Sequence, residues 1–412
     1  MRNSQTLLPV TILALGAAAT AQWTQITPTN SPTPRIEAQM AIDTGANATV
    51  LFGGADNGGF PPTTFSDTWT FDGLDWTQQS PTNVPPARYF GGMAYDVGRG
   101  VTVLYGGLVA TLFGANYRDD TWEWNGTDWT QVTTAATPGS LIGNPGVGEV
   151  TIAYDFVGQR IVLFGGELFQ GIVPAPNVTL EYDGVNWTQA SPAVSPPRRS
   201  QASLCTAPTL GGVLLFGGTN FNNPPGPNGE IVWNDTWVYD SLADTWTQLQ
   251  PTGTLPTARA GASLLFDPNL GLYVLHGGYT DNNGTIQPLS DTWTFDGTTW
   301  TDVSSTYGSP SGPRVRFASA EAPHGCQVLF GGSSAVFGTI NNETWMQGCT
   351  GTTARSWNTR SWLDISSSRL NGTLTRPSAM RPRPTLLSID TRRNPSTIDT
   401  PELPSWSASN GV

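Results

Sequence analysis

All 19 Lys+Arg positions of this 412-residue chain are arginine, against 31 acidic residues and two histidines. Five arginines, Arg35, Arg88, Arg198, Arg259 and Arg314, follow Pro-rich stretches and precede apolar runs. A guanidinium is a planar fork of donors that fits a carboxylate or sulfate through two parallel bonds. Gathered in one place, the five would make a collar able to clamp an anionic ligand. The series breaks at Gly148-Glu149. The alternative is structural, with each arginine bonding backbone carbonyls or an acid of a neighbouring repeat. Other chemistry has fewer candidates. His276 and His324 sit in different sequence surroundings, so neither a histidine metal cluster nor a Ser-His-Asp triad is expected. Asp72, Asp183 and Asp296 recur as turn residues do, whereas a catalytic carboxylate pair would stand apart from a repeat. No catalytic residue, metal or cofactor is therefore assigned.

The elements that carry these arginines repeat. A glycine pair after a short apolar run recurs six times, at Gly53-Gly54, Gly106-Gly107, Gly165-Gly166, Gly217-Gly218, Gly277-Gly278 and Gly331-Gly332. A variable loop and then Asp-Thr-Trp follow at Asp67, Asp120, Asp235 and Asp291, with Glu343-Thr344-Trp345 in the last unit and a degenerate Val178-Thr179-Leu180 in the third. A turn then leads to a second tryptophan, at Trp76, Trp129, Trp187, Trp246 and Trp300. Each unit reads as four short antiparallel strands, a to d, with Asp72-Gly73 and Asp296-Gly297 marking c–d turns. Such a sheet cannot bury both faces alone, and packing six in a ring does so while leaving only short edges. The expected fold is all-β, a six-bladed propeller, with the tryptophans as inter-blade packing.

Apolar strand, Gly-Gly, variable loop, aromatic and second Trp together resemble the kelch repeat, over residues 22–350. The resemblance implies a β-propeller. It does not carry over an oxidase activity, because the copper site of galactose oxidase needs two His and two Tyr, one crosslinked to Cys, and no such set can be placed here.

The ends of the chain complete the layout. Leu7 to Ala19 is mostly apolar and is followed by Ala19-Thr20-Ala21, so residues 1–21 read as a signal peptide, too short to span a bilayer. Trp23-Thr24-Gln25 then matches strand d of other units and is expected to complete the sixth blade. Cys326 and Cys349 flank strands b and c of that blade, and a Cys326–Cys349 disulfide is expected; Cys205 reads as a buried free thiol. Residues 351–412 carry eight arginines against four acids, with much Ser, Thr and Pro, and read as a disordered tail.

A net charge of −12 argues against nucleic-acid binding. The long d–a and b–c loops share one face, and loops on a rigid scaffold commonly carry recognition. The expectation is an exported, monomeric, non-catalytic protein that binds a protein or polysaccharide through that face, with an anionic ligand the one the arginine collar would suit. A carbohydrate-active enzyme and a structural surface protein are the alternatives.

Overall fold

The computed structural model describes residues 22–144, 146–167, 177–220, 231–282, 284–310, 312–335 and 338–348. The expected signal peptide (1–21), the expected tail (351–412) and Cys349 lie outside the described residues. Among the described residues, no helix is long and apolar enough to cross a membrane.

Six four-stranded antiparallel sheets follow one another along the chain. Blade 1 consists of strands a to d at Gln39–Asp43, Ala48–Phe52, Thr68–Phe71 and Trp76–Gln78. Blades 2 to 5 repeat the order, with strands a at Gly92–Asp96, Thr151–Asp155, Ser203–Ala207 and Ser263–Asp267. Blade 6 takes strands a to c from Ala318–Ala322, Cys326–Phe330 and Thr344–Gln347, and strand d from Thr24–Ile26. Thr24 pairs with Met346 and Ile26 with Thr344, so the beginning of the described chain closes its end. Each strand a packs against the strand a of the next blade, and that of blade 6 returns to blade 1. The ring is closed, as the repeat predicted.

Strands b are short apolar runs such as Val50-Leu51-Phe52, each at 1% exposure or less. Both faces of a blade press on neighbours, so these runs lack the polar alternation of a one-sided sheet. The end of strand b explains the glycine pair. Gly53 and Gly54 have φ of +67° and +94°. A Cβ on Gly53 would lie 2.5 Å from the Arg88 carbonyl oxygen of blade 2. The left-handed backbone and the close approach each exclude a side chain.

The strand-d tryptophans hold neighbouring blades together in one repeated contact. Trp129 packs edge-on against Phe52 of blade 1 at 5.4 Å between ring centroids, and its indole N–H donates to Thr68 Oγ1 at 2.9 Å. Trp76, Trp187, Trp246 and Trp300 do the same with Thr344, Thr121, Thr179 and Thr236 of the preceding blade. The closing seam departs from the pattern. Its tryptophan is Trp23, and His276 replaces the strand-b aromatic, at 5.0 Å. Thr292 Oγ1 bonds His276 Nδ1 at 2.9 Å, while Trp23 Nε1 and His276 Nε2 have no hydrogen-bond partner.

Candidate functional site

Four of the five expected arginines reach the b–c side of their blades, and all four point into the blade and not into the channel. Arg35, Arg88, Arg259 and Arg314 are each at most 3% exposed. Arg88 Nη1 donates to the Gly106 carbonyl at 3.0 Å and to Asp120 Oδ1 at 2.7 Å, and Nη2 donates to Asp120 Oδ2 at 2.8 Å. Arg35 repeats this with Gly53 and Asp67, and Arg259 with Gly277 and Asp291, whereas Arg314 Nη1 donates to the Gly331 carbonyl and to Asn341 Oδ1 while Nη2 bonds Glu343. The acid belongs to the same blade, not to a neighbouring one. In blade 4 the assignment shifts by one residue. Arg198 is exposed, and Arg199 takes the buried place, bonding Gly217 and Asp235. The expectation of Arg198 is thus corrected to Arg199, because two adjacent arginines carry no register of their own. These guanidinium groups are committed within the blades and turned away from solvent.

This lattice accounts for every residue of Asp-Thr-Trp. The aspartate receives a bidentate arginine and the indole N–H of its own Trp, as in Trp122 to Asp120 Oδ2 at 2.7 Å. The threonine receives the strand-d indole of the following blade. Burial would raise the Asp120 carboxyl, but the Arg88 fork and the Trp122 indole hold it below the usual carboxylate range; Asp67 and Asp291 behave alike. Blade 3 shows the alternative solution. The Gly107 N–H bonds the Val147 carbonyl, as Gly54 bonds that of Arg88, so Val147 stands in the arginine's place. The aspartate's place is taken by Val178, and both valines join one apolar cluster. Both charges are replaced together, so neither is left buried without a partner.

Two residues after each of these positions lies a second ring, made of Glu37, Phe90, Glu149, Gln201, Gly261 and Arg316. All six adopt a left-handed backbone, with φ between +49° and +60°. Main-chain bonds link them between blades. Glu37 N–H donates to Arg316 O, Phe90 N–H to Glu37 O, and Gly261 N–H to Gln201 O. All six line the upper part of an axial channel of about 270 Å³, enclosed by strands a of the six blades. The strand-a register places the ring at the mouth on the long-loop face.

The ring lacks the uniformity of the arginine lattice. Around the circle come a carboxylate, a phenyl, a carboxylate, an amide, a glycine and a guanidinium. Arg316 Nε stands 3.8 Å from Glu37 Oε1, a loose pair. Burial, opposed by Arg316 and reinforced by the Glu149 charge, pushes the Glu37 carboxyl up to about 8. Gln39, 3% exposed, also lines the channel, with Nε2 donating to the Glu37 carbonyl at 2.7 Å and Oε1 unpartnered. The sequence gives no periodic signal for this ring, because its six positions hold five different residue types. The constant offset from the arginines was the clue available.

Outside the channel, the hairpin Leu108–Thr111 with Gly114–Tyr117 lifts Leu112 and Phe113 off the long-loop face, with Phe113 98% exposed. Phe60 of the blade 1 loop is 75% exposed. Further down the channel, Cys205 is buried and free, and burial raises its thiol well above the ordinary value. Cys326 is buried at the start of its strand, but its expected partner lies outside the described residues. His276 is sealed in the closing seam and His324 sits in the a–b turn of blade 6. Among the described residues no three His, Cys, Asp or Glu side chains group as metal ligands.

Residues 149–371, more than half of the chain, match the KLHDC2/KLHL20/DRC7 Kelch-repeats domain. The solved structure of YjhT matches with a TM-score of 0.57 at 13% identity, over 79% of this chain and 98% of that one. At such identity the likeness shows the fold alone.

Proposed function

The chain belongs to the kelch-repeat family, and on that premise we propose that it is an exported, non-catalytic recognition protein. It binds a protein or polysaccharide through its long-loop face. One observation carries this reading: a backbone position that the fold repeats in all six blades is filled by five different residue types around one channel mouth. A position needed only for packing would be filled alike, as the arginine and tryptophan positions nearly are. Five of the six residues are not glycine, although their φ favours glycine. Left-handed backbone costs a side-chain-bearing residue about 1 kcal/mol, and such strain gathers at functional sites. The exposed Phe60, Leu112 and Phe113 add apolar contact area on the same face. Binding centres on the mouth ring and not on the arginines expected from sequence.

A peptide and polysaccharide array tests the proposal. Binding is expected to disappear in Phe90→Ala plus Gln201→Ala, and to survive Leu74→Ser plus Val185→Ser in the c–d turns of the opposite face. Loss only in the second pair would place recognition on the wrong face. A second reading rests on Glu37, since a carboxyl held protonated near neutrality beside another carboxylate is what general-acid chemistry on a sugar requires. Turnover of a saccharide panel by the wild type, abolished in Glu37→Gln, would favour that reading.

A further inference from the structure

Blades 1, 2 and 3 are consecutive around the channel, so Glu37, Phe90 and Glu149 are consecutive around its mouth. Two carboxylates therefore flank one phenyl ring. Glu149 forms no ion pair among the described residues, and Glu37 has only the 3.8 Å approach of Arg316. Gly261, across the ring, leaves that side open.

We propose that this arc is a seat for a single cationic side chain, an arginine or lysine presented by a protein partner. The proposal rests on the recognition reading above and names the chemistry of its ligand. A guanidinium or ammonium over a phenyl face is attracted by the ring quadrupole, and flanking carboxylates accept its hydrogen bonds. The Arg316 side of the mouth supplies the counter-charge that keeps the seat to one cation. The whole chain is acidic, so a basic partner is also drawn toward it. This ligand has the opposite sign to the one the arginine series suggested.

The seat is coupled to protons. Without a ligand Glu37 is largely protonated at neutral pH, because burial and Glu149 outweigh Arg316; Tyr89 and Glu167 lie in the same electrostatic neighbourhood. A bound cation favours the ionised form. Affinity therefore rises with pH until Glu37 ionises unaided, near 8.

Short Gly/Ser peptides carrying one internal Arg, Lys or citrulline provide the probe, read by fluorescence anisotropy on the full chain. Citrulline keeps the shape of arginine and lacks its charge. The Arg and Lys peptides are expected to bind at least ~10-fold more tightly than the citrulline peptide. Arg-peptide affinity is expected to rise up to ~50-fold from pH 6 to pH 8 if only ionised Glu37 accepts the cation. Glu37→Gln flattens that profile. Glu149→Gln weakens binding while leaving a pH dependence. Equal binding of Arg and citrulline peptides, or affinity indifferent to both glutamates, overturns the seat. If all the peptides bind alike and all are lost in Phe90→Ala, recognition at the mouth stands and the cation seat falls. If the wild type binds no peptide, the seat falls, and the array decides recognition separately.

Discussion

Two concentric rings, two residues apart in every blade, divide the work of this propeller. The blade-facing ring is chemically uniform, with five buried arginines, five acids, and a valine pair where both charges are absent. The mouth ring shares one backbone conformation and has no side chain in common except its two glutamates. Identical backbone geometry with identical side chains indicates a part of the fold. Identical geometry with divergent side chains indicates a surface released from that duty. An internal repeat thus supplies its own comparison set, and a single sequence suffices to apply it.

Breaking the uniform ring should have the largest effect. Arg88→Ala leaves the Asp120 carboxylate buried without its fork, and is expected to cost about 3–5 kcal/mol in denaturant unfolding. Arg88→Val with Asp120→Val copies blade 3 and should recover most of that loss. If the double variant is as unstable as the single one, the valine pair is no substitute and the comparison with blade 3 fails.

The closing seam is the next test, since there a uniform position departs from its type. Burial, with Arg259 and Arg314 nearby and Asp291 opposing, holds His276 down to about 3. A folded value below the ordinary 6.5 means that the buried neutral ring contributes its full stability above pH 6.5. That contribution is lost as pH falls from 6.5 toward 3. His276→Phe restores the repeat's aromatic and frees Thr292 to accept from Trp23. It should stabilise by about 1 kcal/mol at pH 7, the worth of one buried hydrogen bond. The gain should widen as pH falls to 5. A variant with the wild-type pH dependence would remove His276 from the account. The aspartates of the uniform ring act at lower pH. Their depressed values contribute stability above 3.8, lost only below it.

The smallest expected effect has the opposite sign. Glu149→Gly relieves a left-handed non-glycine residue and should stabilise by up to ~1 kcal/mol while removing a recognition group. A clear destabilisation would show that the mouth ring is structural after all.

Much of the fold was legible because packing repeats itself. Gly-Gly, Asp-Thr-Trp and the second Trp each answer a steric or hydrogen-bond need that recurs every blade, and Trp23-Thr24-Gln25 matched the missing strand. The direction of the arginines was not legible. A residue at the start of strand a can face the channel or the blade, and only the positions of Gly53 O and Asp67 show that Arg35 faces the blade. The sequence places Arg198 in the series and the structure places Arg199 there, because neighbouring identical residues carry no register. The mouth ring was hidden for the reason that makes it interesting, since Glu, Phe, Gln, Gly and Arg share no type to count.

The most direct measurement sets the two rings against each other. Arg-peptide affinity is compared among the wild type, Glu149→Gly, and Arg88→Val with Asp120→Val, each checked for a cooperative unfolding transition. The account predicts that Glu149→Gly folds and loses binding, while the double valine variant binds like the wild type. Binding retained in the first and lost in the second would put recognition on the buried arginines and contradict it.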